Sequence, residues 1–351
     1  MFEAVTLRSS VLLLAAAALP LGAQQPERFT LSGSSVAIFN LAGTVRATAA
    51  SGRDVVVTVE RGGADAARLR VETGEIGGRE TLRVIFPEDR IVFRGRGNGS
   101  WNTQLRVHDD GTFYDGRGDG GRRVRIESGG SGLDAHANLA VAVPAGQRIA
   151  LHLAAGEVHV TNVNGDILVD VGAADVTTSG TRGALRLDTG SGEVSVTNAE
   201  GDVELDAGSG GSTLRGVKGR VLSVDAGSGS VTARDIAVEE LRVDAGSGDV
   251  TLERVSAPEI DLDLGSGSTD LSLLADVRRL VVDAGSGGVT LRVPESLGAQ
   301  VEVDAGSGGL DLQVPVTTRR ISRDAFSGTI GDGEGRITID AGSGRVRILR
   351  S

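Results

Sequence analysis

The most regular chemistry-bearing residue in this chain is aspartate. It stands at Asp188, Asp206, Asp225, Asp244, Asp263, Asp283, Asp304 and Asp340, with a further copy at Asp324, and each is followed by Ala-Gly-Ser-Gly or a close variant. The intervals run from 16 to 21 residues and average 19. Carboxylates repeated at strand spacing, ~4.8 Å, could form a row of cation sites. They could instead brace the turn, each accepting hydrogen bonds from the amides of its own Gly-Ser-Gly. Neighbours in such a row would repel by ~0.9 kcal/mol in bulk water, so some such offset is needed. Calcium-binding nonapeptide repeats place an aspartate just after the turn, once every nine residues. Here the slot five after each Asp reads Glu193, Gly211, Ser230, Asp249, Ser268, Gly288, Gly309, Thr329 and Arg345, which is mostly not acidic. The row therefore reads as a structural turn ladder, with no metal and no cofactor assigned.

Other constellations carry less. His152 and His159 flank Glu157, but two histidines without a firm third ligand make a poor metal site. They read as exposed, unliganded imidazoles. A rank of Thr213, Thr232, Thr251 and Thr290 resembles an ice-binding face, yet Asp270 and Asp311 interrupt it, and threonine simply suits exposed strand positions. No Ser/His/Asp set or phosphate loop occurs in a recognisable context. With no cysteine, thiolate chemistry, disulfides and cysteine-held zinc are excluded. The reading is a protein that is not an enzyme. The alternative is a carbohydrate-active β-helix enzyme of lyase or hydrolase type, working through paired carboxylates.

The elements that must position these residues follow from the slots around each Asp. Three positions before it stand Leu185, Val203, Leu222, Leu241, Ile260, Leu280, Val301, Ile321 and Ile337, all aliphatic. The slot one position before is aliphatic at every copy except Arg323. Polar residues fill the positions between. That is period-two alternation, the mark of a strand with one buried face. One strand runs into the Asp and a second leaves the Gly-Ser-Gly turn, as in Val250-Thr-Leu252. Two strands cannot bury an apolar face alone, whereas stacking successive copies in parallel buries a continuous column. The expected fold is all-β: a right-handed parallel β-solenoid, or β-helix, with rungs of about 19 residues. Propeller blades need roughly twice that length.

Three regions are expected. Residues 1–23 read as a signal peptide: Arg8 precedes an apolar run over 11–19, and Ala23 ends it. Residues 24–125 read as degenerate N-terminal rungs or a cap. They contain an irregular loop at 94–122. Residues 126–351 carry the regular rungs. The 94–122 loop holds the only Trp and the only Tyr. Trp101, His108, Phe113, Tyr114 and Arg117 are therefore its candidate contact residues. A net charge of −11 argues against nucleic acid. No segment after the signal is long and apolar enough for a transmembrane helix. The expected partner is an envelope or surface ligand, protein or polysaccharide, and edge-to-edge self-association is open. The expected location is periplasmic, cell-surface or extracellular.

The run Val-Asp-Ala-Gly-Ser-Gly-x-Val-Thr-Leu over residues 243–252 resembles the bacterial adhesin-like β-strand repeat family. That family is also described as toastrack-like and is akin to head-GIN adhesin domains. The resemblance covers roughly residues 30–350 and is strongest over 165–350. It implies a single-domain solenoid at the cell envelope, acting as a binding or adhesin-like scaffold module, and it brings no catalytic residues to carry over.

Overall fold

The computed structural model describes residues 25–95, 101–116 and 120–351. The expected signal peptide and Arg117 lie outside the described residues. The described chain is almost entirely strand, with one short 3-10 turn, Ala66–Arg68. The chain is all-β and solenoid-like. Leu185–Ser191 pairs in parallel with Val203–Ser209, which pairs in parallel with Lys218–Ala226. The offset from one rung to the next is 18 to 20 residues through this stack.

Each regular rung turns its aliphatic slots inward on three sides. In one rung these are Leu185 and Leu187, then Val194 and Val196, then Ala199, all essentially inaccessible. Each fully buried Leu or Val adds ~1.5–3 kcal/mol over the exposed state, and stacking makes the columns one continuous core. The third side is held by single bridges, Asn164 to Arg182, Arg182 to Glu200 and Glu200 to Lys218. The corner before it needs one left-handed residue per rung: Asn162, Gly180, Asn198, Gly216, Asp235 and Arg254, with φ from 55° to 69°. Asn, Gly and Asp tolerate that region. Arg254 occupies it at a cost.

The Gly-Ser-Gly corner is tight for a different reason. A Cβ on Gly229 would lie 1.7 Å from the carbonyl oxygen of Gly210 on the adjacent rung. No side chain fits where rungs approach so closely.

Stacking order departs from chain order at the C-terminal end. Arg279–Ala284 pairs in parallel with Gly335–Ala341, and that strand pairs in turn with Ala299–Asp304. Val346–Arg350 likewise sits between Val289–Val293 and Leu310–Gln313. The rung of Asp340 is thus inserted between the rungs of Asp283 and Asp304, where sequence order predicts it last. The Asp324 copy is not a rung. Thr317–Ile321 and Ala325–Ile330 form an antiparallel hairpin laid on the strand Ala299–Asp304. This explains why Arg323 and Asp332 break the aliphatic slots.

The N-terminal region mixes a true rung with antiparallel strands. Ser35–Ala50 stacks in parallel on Gln147–Thr161. Glu27–Leu31 and Val55–Gly62 pair antiparallel at the end of the stack. The segment expected as an irregular loop contains a strand. Asn102–Val107 forms an antiparallel pair with Arg122–Glu127 in a separate four-stranded sheet.

Candidate functional site

The aspartate ladder is in register. Asp170 faces Asp188, then Asp206, Asp225, Asp244, Asp263 and Asp283. Asp340 and Asp304 complete it, in that order. From Asp206 onward the residues are exposed. Among the described residues, none from Asp188 to Asp304 has an arginine, lysine or histidine at ion-pair distance. Asp304 accepts a hydrogen bond from the amide of Gly306, 3.0 Å, within its own turn. Asp175 and Asp249, which lie outside the ladder slot, make a different bond. They accept from the amides of Glu193 and Ser268 one rung on, at 2.9 and 2.8 Å.

Toward the N-terminal end the ladder continues through His152 and Phe39. The aromatic segment closes over this end. Phe113 is itself buried and packs edge-on against Phe39, centroids 5.7 Å apart. Tyr114 follows it edge-on at 5.2 Å. The Tyr114 hydroxyl packs on Gly172, where it would lie only 2.6 Å from an added Cβ. Burial pushes the Tyr114 phenol up to about 12, and the carboxylates of Asp170 and Asp188 add to the shift. Partial burial likewise raises Asp188 to about 6, with Asp170 and Asp206 contributing repulsion from either side.

His152 corrects the sequence reading. It is buried, not exposed, because Phe39 and Phe113 pack against it. Its Nδ1 lies 3.6 Å from Asp170 Oδ2, and neither ring nitrogen has a hydrogen bond. His159 points elsewhere and pairs with Glu157 at 3.1 Å, so the two histidines do not share a site. Of the other contact candidates, Trp101 is half-buried and packs edge-on to Phe93, 6.3 Å between centroids. His108 is half-buried with Asp115 at 3.6 Å. Tyr114 is the most exposed. The segment braces the stack more than it projects from it.

Sequence reasoning missed a groove. It has a volume of about 730 Å³ and runs along the stacking direction, across the outward face of the strands that lead into the ladder. Its apolar lining includes Ala150, Leu168, Ala184 and Val221. Its charged lining alternates by rung as far as Arg220, after which Arg242 follows on the adjacent rung. Arg148 stands on Gln147–Thr161, Asp166 on the next rung, Arg186 on the next, then Asp202 with Glu204, then Arg220 at the rung of Lys218–Ala226. Arg79 lines the opposite end, two rungs before Arg148. Each acid is paired across rungs: Arg148 to Asp166 at 3.8 Å, Arg186 to Glu204 at 2.7 Å, Arg220 to Asp202 at 2.7 Å. Slight burial raises the Asp202 carboxyl, but bonds from the Val221 amide and the Arg220 guanidinium outweigh it and hold it below the usual range. The signal was present as arginines at outward slots, but nothing in the spacing said that those slots line a concave face.

Chemically, the titratable groups are spread one per rung along lines. Acid–base catalysis needs them converging on one reacting atom. Among the described residues no cluster of three or more His, Asp or Glu side chains could hold a metal ion. No described helix is long and apolar enough to cross a membrane.

The family model described as Toastrack DUF4097 matches residues 137–349. No curated protein matches the chain. A solved structure titled "putative cell adhesion protein", from Clostridium sporogenes ATCC 15579, aligns over 93% of this chain and 100% of that chain. The identity is 9% and the TM-score 0.17, so that likeness carries no argument about function.

Proposed function

We propose a function from one premise: this chain belongs to the Toastrack DUF4097 family. The matched residues, 137–349, include the regular rungs. On that premise the chain is a non-catalytic scaffold that binds an extended ligand at the cell envelope, in an adhesin-like role. The observation that carries this reading is the groove, whose length along the rungs suits a chain-like ligand better than a small molecule. Its lining mixes apolar and charged side chains and is already organised by stacked strands, so binding requires little ordering.

Three finer features belong to the same reading. Export rests on Arg8, the apolar run at 11–19 and Ala23. Right-handed coiling rests on the general preference of parallel crossovers. The aromatic segment supplies at most a secondary contact through Trp101, His108 and Tyr114, because Phe113 is committed to the core.

Retention of the purified chain on isolated bacterial envelopes tests the reading. The double variant Arg148→Glu/Arg186→Glu should be released, while Asp244→Asn on the neighbouring ladder should be retained. Equal retention of both, or none by the unaltered chain, would overturn it. Turnover of a polysaccharide, abolished by one carboxylate substitution, would instead favour the enzyme alternative.

A further inference from the structure

We propose that the groove takes an acidic polysaccharide whose carboxylates face the protein at every second sugar. The inference rests on the reading of the groove as the binding surface and adds the class of ligand.

The argument starts from spacing. Arg79, Arg148, Arg186 and Arg220 stand on alternate rungs. With rungs ~4.8 Å apart, these positions recur every ~10 Å along the stacking direction, Arg186 being set two residues further along its strand than Arg148. An extended pyranose chain advances by about one rung per sugar. A polymer with alternate carboxylates turned to one side therefore presents them at the period of the arginines. The rungs between carry Ser35, Asp166, and Asp202 with Glu204. These accept hydrogen bonds from the hydroxyl groups of the intervening sugars, and they repel a polymer charged at every position on that side.

Charge adds to spacing. The lining has four arginines on alternate rungs, and a fifth, Arg242, on the rung next to Arg220 and paired with Glu240, against three carboxylates, in a chain whose net charge is −11. The existing ion pairs do not block a ligand. All three groove pairs are largely exposed, and exposed pairs contribute little. A guanidinium can turn from Glu204 to a ligand carboxylate and keep a bidentate geometry. Arg79 has no ion-pair partner among the described residues and is free to do so at once. Ala150, Leu168, Ala184 and Val221 give the lining apolar surface for the apolar face of a sugar ring. Nucleic acid fits less well, since its phosphates come at every residue and meet three carboxylates here.

The probe is hyaluronate, with its carboxyl methyl ester as the uncharged copy. Titration calorimetry of the full chain at 50 and 300 mM NaCl should show binding of hyaluronate that weakens with salt. The methyl ester should bind at least tenfold more weakly. Arg148→Gln/Arg186→Gln should lose at least tenfold, and so should Arg79→Gln, which breaks no ion pair and so leaves folding undisturbed. Equal binding of acid and ester overturns the acidic assignment and leaves the groove reading intact. Binding of hyaluronate that neither arginine variant changes overturns both. Absence of binding by hyaluronate overturns the inference, while envelope retention still reports on the groove. Equal binding of polyglutamate overturns the choice of polysaccharide.

Discussion

The imidazole of His152 lies flat on the ring of Phe39, with centroids 4.4 Å apart and planes within 3°. The two residues are register partners on adjacent rungs. Stacking explains the position of His152, whereas hydrogen bonding does not, since both ring nitrogens are buried without a donor or acceptor. His152→Phe should therefore keep the stack and remove two unsatisfied polar atoms, leaving stability within ~1 kcal/mol or improving it. His152→Ala should cost ~2–4 kcal/mol through the cavity left beside Phe39 and Phe113. Urea unfolding of both variants decides; a loss of several kcal/mol in His152→Phe would show that the imidazole's polar atoms matter.

Asp188 gives a pH dependence with a defined sign. Its carboxyl is raised to about 6 by burial first, then by Asp170 and Asp206, against ~3.9 in an unfolded chain. Between those values the folded state holds the proton more tightly than the unfolded state. This group's contribution is thus complete below about pH 4 and is lost as pH rises through about 6. Asp188→Asn should flatten that part of the melting temperature against pH curve and raise the melting temperature at pH 7 to 8. An unchanged slope in the variant would remove Asp188 from the account.

The packed corners make a clean contrast between two glycines. Gly229→Ala places a methyl 1.7 Å from a backbone oxygen on the adjacent rung, which must spread the stack and should cost at least ~2–3 kcal/mol. Gly211→Ala meets nothing within 4 Å and should be neutral or stabilising by ~0.4–1 kcal/mol. Comparable losses in the two melting curves would contradict the observed closeness of the rungs.

The inserted rung predicts a local weakness. Ile339 is buried between the strands of Asp283 and Asp304. Ile339→Ala should cost ~2–5 kcal/mol, and hydrogen exchange should quicken across Ala299–Asp304 and Leu310–Gln313 before it does across Leu185–Ser191. Uniform loss of protection along the whole stack would mean that the rungs unfold as one unit.

Most of the regular stack was legible in the sequence because one chemical pattern served every rung. Aliphatic slots at Leu185, Leu241 and Leu280 fixed the inward face, and the recurring Asp fixed the register. The same uniformity hid the stacking order. The Asp340 and Asp304 rungs carry the same signature, so either could pair with Asp283, and only the broken slots at Arg323 and Asp332 hinted at a detour. Burial of His152 was illegible for a different reason. What covers it is Phe113, 39 residues earlier, in a segment whose pattern looked irregular. The groove was illegible because outward residues such as Arg186 and Glu204 read alike on flat and concave faces.

The insertion of Gly335–Ala341 also separates position from timing. During synthesis, Ala299–Asp304 leaves the ribosome before the strand that will join it to Arg279–Ala284 exists. A solenoid whose rungs stack in chain order can wind up as it emerges, each turn settling on the last. Here winding must pause after the Asp283 turn, with that edge unoccupied, until residues 335–350 arrive to fill it. The last rungs therefore close like an arch around its keystone, and a chain interrupted after residue 313 but before residue 335 lacks the rung that joins Ala299–Asp304 to Arg279–Ala284, where a strictly sequential stack would only be shorter.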